Sequence, residues 1–197
     1  MNSEDSLFFL IRRGKEEHIR NLYEKGELYI NTISLLRNCD DNPERTDPED
    51  CLVFRPGNKY IDGNIFCFYG VYYNHLNIPN DSMDIEIDSF GDWLILIHSP
   101  SIFIERVEKE LKKLGYNNVT HQKVEYYRGD YVGEVGVFKK HERFEKQCEY
   151  RFFIENEYNQ TIKDIYIGSL ADIATIERNL MMQLTLDCGS KKVLYIR

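Results

Sequence analysis

Apolar residues in this chain come in runs of about five to eight, rich in Phe, Tyr and Ile, and each is closed by a polar turn. SLFFLIRR (6–13), NIFCFYGVYYN (64–74), DWLILIHS (92–99), QCEYRFFIENE (147–157), KDIYIGSL (163–170) and KKVLYIR (191–197) are such runs. Runs of this length and composition suit half-buried or buried strands better than helices. Helical periodicity intervenes in only a few places. KEEHIRNLYEKG places Ile19, Leu22 and Tyr23 at helical spacing before Gly26, a natural stop. PSIFIERVEKELKKLGYN places Ile104, Val107, Leu111 and Leu114 on one side, with Ser101 as cap and Gly115 as stop. LADIATIERNLMMQL also reads as a helix, capped by Ser169.

Strand–helix alternation is not regular, and neither a G-x-G-x-x-G nor a Walker loop occurs. The expected fold class is therefore α+β: a single domain over 1–197, with a mixed or mainly antiparallel β-sheet and a few helices. ELYINTISLLRN reads as a strand entering a turn or short helix, and HERFEK as a single helical turn. Residues 39–63 hold three of the five prolines and form a long polar loop, either functional or a solvated excursion.

The 197 residues carry 42% hydrophobic and 13% aromatic side chains, enough for one real core. Net charge is -8, which repels nucleic-acid backbones, and no basic stripe offsets it, so nucleic-acid binding is not expected. No apolar run reaches the length of a membrane span. The five cysteines include no C-x-x-C and no zinc spacing; their odd number and the absence of a leader-like start point to a reducing cytoplasm. ERTDPED (44–50) gathers acids around Pro48, but the EF-hand pattern is missing and no metal site is expected.

QCEYRFFIE carries the candidate chemistry. In a strand, Cys148, Tyr150, Phe152 and Ile154 share the core face, while Glu149, Arg151, Phe153 and Glu155 share the other. Glu149 and Arg151 are either structural ion pairs or a site in which the carboxylate stabilises a developing cation and the guanidinium holds an anion. Arg12 and Arg13, at the end of the first strand before Gly14, are either phosphate ligands or a solvated strand end.

KGELYINTISLLRN, ERTDPED, NIFCFY, FKKHERFEKQCEYRF and IYIGSLADI, in this order, resemble a group of uncharacterised bacterial and phage proteins with an R-G-D-P-x-E-like loop and a late F-x-K…Q-x-E-x-R segment. Here the loop reads R-T-D-P-E-D, and the group has no established activity. More remotely, a first strand with Arg, then helix, Gly, a strand with Asn-Thr and a late strand with Glu is similar to the plan of ADP-ribosyltransferases. That resemblance implies that Arg12 or Arg13 holds NAD, Thr32 or Ser34 shapes the nicotinamide pocket, and Glu149 engages the ribose, with Arg151 holding Glu149 or the ligand. NAD would then be a substrate, in a toxin or phage–host conflict setting. The rival expectation is a non-catalytic phage or defence protein that binds a host protein or sequesters a small nucleotide.

Overall fold

The computed structural model describes residues 7–38, 46–72, 83–84, 91–156, 160–178, 183–187 and 192–196. The first strand, β1 (Leu7–Gly14), leads into helix α1 (Glu16–Lys25), strand β2 (Glu27–Thr32) and the short helix α2 (Ile33–Arg37). Then come β3 (Phe54–Arg55), the long β4 (Asn64–Tyr72), β5 (Met83–Asp84), β6 (Trp93–Ile97) and helix α3 (Pro100–Lys113). Short strands β7 (Val119–Lys123), β8 (Glu125–Tyr127), β9 (Gly133–Glu134) and β10 (Lys139–His141) precede a 3-10 helix, Glu142–Gln147. The described chain closes with β11 (Glu149–Ile154), β12 (Ile162–Tyr166), β13 (Ala174–Arg178), β14 (Gln183–Asp187) and β15 (Lys192–Ile196).

Eight of these strands form one sheet in the order β12-β2-β4-β1-β6-β13, with β11 on the other edge of β4 and β7 beyond it. Every pairing in that sheet is antiparallel, whereas β8 and β10 pair in parallel. The fold is α+β, as the run lengths predict. Residues of even number in β4 and β11, among them Phe66, Phe68 and Phe152, join Ile19 and Leu22 of α1 and Phe103, Val107 and Leu111 of α3 in the main core. The Phe66 and Phe152 rings stack at 4.4 Å across the ladder. Each such fully buried side chain contributes on the order of 1.5–3 kcal/mol. The opposite face of the sheet carries two smaller apolar clusters, one around Phe9, Ile11, Tyr69 and Leu94 and one around Ile33, Cys51, Ile65 and Val137.

Three expectations need correction. Ser101 lies inside α3 and Ser99 stands at its N-terminal cap position. LADIATIER, the described part of LADIATIERNLMMQL up to Arg178, is not helical: Ala174–Arg178 is β13, paired with β6 from Ala174↔Ile97 to Arg178↔Trp93, and 179–182 lie outside the described residues. Ser169 caps nothing helical; Arg106 of α3 donates to the Ser169 carbonyl and to the Asp172 carboxylate, which fixes a turn. The His98 amide then bonds the Ile173 carbonyl and starts the ladder. An open strand edge, with β-branched Ile173, Thr175 and Ile176 to fill it, outweighs helix propensity. Nor is the polar loop a solvated excursion over 46–63. Asp47, Cys51 and Leu52 are buried, Leu52 bridges Tyr60, and β3 pairs with β9. Residues 39–45, including Arg45, lie outside the described residues, as does most of 73–90.

α1 ends at Gly26 in the left-handed region, φ 65°, where the IGSLADI segment docks: Ile167 N–H bonds the Gly26 carbonyl and Leu170 N–H the Tyr23 carbonyl. A Cβ at Gly26 would stand 2.2 Å from the Gly168 carbonyl oxygen. Gly26→Ala combines that clash with left-handed strain and is expected to lower stability by about 2–4 kcal/mol in urea denaturation. A shift below about 0.5 kcal/mol, the scale of an ordinary surface substitution, would contradict this docking.

Candidate functional site

β4 decides where a site can lie. On one edge it carries β11, from Glu149↔Tyr69 to Ile154↔Asn64. Its other edge is shared by two strands that run in the same direction: β1 pairs with Tyr69–Tyr72, and β2 with Asn64 and Ile65. Continuing the β1 register by two residues sets Arg13 opposite Cys67, and continuing the β2 register backwards sets Tyr29 opposite the same residue. Two strands cannot occupy one edge, so the sheet forks at Cys67. β1 leaves with β6, as Arg13 pairs with Leu94, and β2 leaves with β12.

Cys67 points to the face away from the helices, between the two small clusters. Ile65 and Tyr69, two residues to either side on that face, are buried, yet Cys67 keeps solvent exposure in the middle of the sheet. Burial and the neighbouring Glu149 charge nonetheless push its thiol up to about 12. Partial exposure between two buried neighbours leaves the face open at Cys67, a recess between the two clusters.

One wall of this recess is β11. Arg151 lies directly opposite Cys67, and Glu149 opposite Tyr69. Both charged side chains are buried, Arg151 at 1% exposure, so the ion-pair half of the sequence expectation is met. Glu149 Oε1 accepts from Lys140 Nζ at 2.6 Å, and Oε2 accepts from Arg151 Nη2 at 2.7 Å and Nε at 3.2 Å. Arg151 also donates to both Asp50 oxygens, at 2.9 and 3.2 Å, and to the Val137 carbonyl at 2.7 Å. Lys140 adds a bond to Gln147 Oε1 at 2.8 Å. Asp50, from the polar loop, and Lys140, from β10, thereby fasten the small lobe formed by 46–63 and 125–147 to the sheet.

The electrostatics follow from this arrangement. Burial alone would raise the Glu149 pKa, but the Arg151 and Lys140 charges and their hydrogen bonds outweigh it and hold the carboxyl well below the usual range. Burial opposes the charge on Lys140, and Glu149 and Asp50 overcome it. Asp47 behaves in the opposite way. Its side chain is 1% exposed, its Oδ2 has no hydrogen-bond partner, and burial followed by repulsion from Asp50 raises its pKa.

The structure brings some of the sequence candidates together and separates others. Arg13 is buried and, by strand alternation from Phe9 and Ile11, faces the same side as Glu149 and Arg151. Ile11 and Glu149 flank Tyr69 on neighbouring strands, about 10 Å apart by two strand spacings. Arg12 points to the helical side, its guanidinium 5.5 Å from the Phe68 ring centroid. Thr32 Oγ1 accepts from Leu35 N–H and starts α2, with Ser34 Oγ 3.2 Å away. Cys148 leaves the core face expected of it: at φ 41° it precedes the strand and packs on the Phe9 cluster. In sequence Lys140 is legible only as positive charge near Glu149 and Asp50 only as one of the acids around Pro48; their partnership, and the place of Cys67, arise from register and from a loop contact 101 residues distant in sequence.

Among the described residues, no group of His, Cys, Asp and Glu is arranged to hold a metal ion, and no helix is long and apolar enough to cross a membrane. No protein-family model, curated protein or solved structure matches the chain.

Glu149→Gln leaves two buried cations undercompensated and is expected to cost about 3–5 kcal/mol at pH 7. The folded pKa of Glu149 lies below its ordinary 4.5, so its contribution is present above that value and is lost as pH falls towards the folded value. Urea denaturation should therefore show a gap between wild type and variant that narrows from pH 7 to pH 3. A gap of equal size at both would mean that Glu149 is not held ionised.

Proposed function

We propose that this chain is a nucleotide-like ligand-binding protein whose ligand enters the recess at the fork. The observation that carries this reading is the partial exposure of Cys67 in a central strand, with Arg13 on the diverging strand and the Glu149–Arg151 pair on the neighbouring one. Arg151 and Lys140 are balanced by Glu149 and Asp50, so Arg13 is the cation at the fork that suits an anionic ligand of nucleotide type. Arg13 is the residue assigned to the phosphates.

NAD cleavage is the second reading. A carboxylate and an arginine on one sheet face favour it, since cleavage of the nicotinamide bond develops cationic character that a carboxylate stabilises. Binding without turnover is favoured over it because both Glu149 oxygens are already held by Lys140 and Arg151. A carboxylate neutralised from both sides and withdrawn from solvent has little left to offer a sugar.

Equilibrium dialysis of the purified chain against labelled ADP-ribose, ATP and NAD tests this. Saturable binding of at least one is expected, weakened about tenfold or more in Arg13→Gln, less in Arg13→Lys, and unchanged in Arg12→Gln, with folding checked by circular dichroism. NAD should be recovered intact. No binding of any of the three by folded protein would sink the proposal, and release of nicotinamide would turn it into the enzymatic reading.

A further inference from the structure

On the other side of the fork, the β2–β12 ribbon has one face in the core and one face open. Leu28 and Ile30 are buried, whereas Tyr29 between them is 52% exposed, and Asn31 follows on the same face. Asn31 pairs with Ile65 and is therefore a diagonal neighbour of Cys67, within about 8 Å across the sheet. Its Oδ1 is buried and has no hydrogen-bond partner, although the amide stands beside the recess. An amide oxygen without a partner in such a place is costly unless something else bonds to it. Lys163 of β12 brings its Nζ to 5.6 Å from the Tyr29 ring centroid, so a cation borders the same aromatic surface.

An exposed aromatic ring, an unpaired amide one strand repeat further on and an adjacent cation make a set that suits a nucleobase joined to phosphate. The ring offers a stacking surface. The amide, in either orientation, offers one donor and one acceptor side by side. Adenine displays the complement of that pair at N6 and N7, whereas guanine displays two acceptors, O6 and N7, which meet the Asn31 oxygen with no proton between them.

We propose that Tyr29, Asn31 and Lys163 form an adenine-selective base subsite at the mouth of the fork. The base stacks on Tyr29, Asn31 turns its amide outward from the position in which Oδ1 is buried without a partner and reads the N6/N7 edge, and Lys163 sits beside the phosphate that leads towards Arg13. This rests on the nucleotide-binding reading above and adds which base is taken.

Isothermal titration of the full chain with AMP and with GMP separates the two claims. Wild type is expected to bind AMP about tenfold or more tightly than GMP, the discrimination of one bidentate amide–base pair. Asn31→Ala should bring AMP down to the GMP level, Tyr29→Ala should weaken both, and Arg13→Gln should weaken both without changing their ratio. Tyr29 is exposed and the Asn31 side chain makes no bond through its oxygen, so these two variants are expected to fold. Equal affinities for AMP and GMP, unmoved by Asn31→Ala, would overturn the subsite and leave the fork reading standing. Binding of neither nucleotide by wild type would overturn both.

Discussion

One edge of β4 has room for one neighbour at Cys67, and two strands arrive there. That conflict of register shapes the molecule. β1 takes the C-terminal half of the edge and β2 the N-terminal half, and each must then peel away to its own partner, β6 or β12. α1 fills the connection between them, and its Gly26 terminus is close-packed against Gly168 so that β2 can begin on the next residue. On the helical side the parting is closed over by Phe66, Phe68, Phe103 and Phe152. On the other side it leaves a gap between two apolar clusters.

The buried charges border that gap. A carboxylate and a guanidinium so fully withdrawn from water contribute little net stability compared with apolar residues of the same size, but they are costly to break apart. Their value here is positional. Glu149 and Arg151 each have partners outside the sheet, Lys140 and Asp50, and so the small lobe formed by 46–63 and 125–147 is fixed in one place on the sheet. The raised Asp47 pKa runs against the lowered Glu149 pKa. Asp47 stabilises the fold below its ordinary carboxylate value and loses that contribution as pH rises through its folded value, while Glu149 does the reverse.

Sequence period recovered much of this. The alternation in EYRFFI placed Tyr150, Phe152 and Ile154 in the core and kept Glu149 with Arg151, because side-chain parity along a strand is a local property. Helix α3 was legible from its spacing, although Leu114 is half exposed and Phe103 does the packing in its place. What local pattern could not supply was pairing. Nothing near Ala174 announces that the β6 edge is free, and nothing near Asp50 announces Arg151. Arg12 and Arg13 look alike in sequence, and only the register tells which of them faces the recess. Thr32 is occupied with capping α2, and nothing in the local pattern sets it apart from the adjacent Asn31.

The most direct test of the fork as the binding place is an amide chemical-shift map of the ¹⁵N-labelled full chain titrated with ATP. If the ligand binds at the fork, the largest shifts cluster at Arg13, Tyr29, Asn31 and Phe66–Phe68, with smaller ones along Glu149–Arg151. Shifts of that size confined to α3 or to the exposed edge of β7, with the fork residues unmoved, would contradict the account.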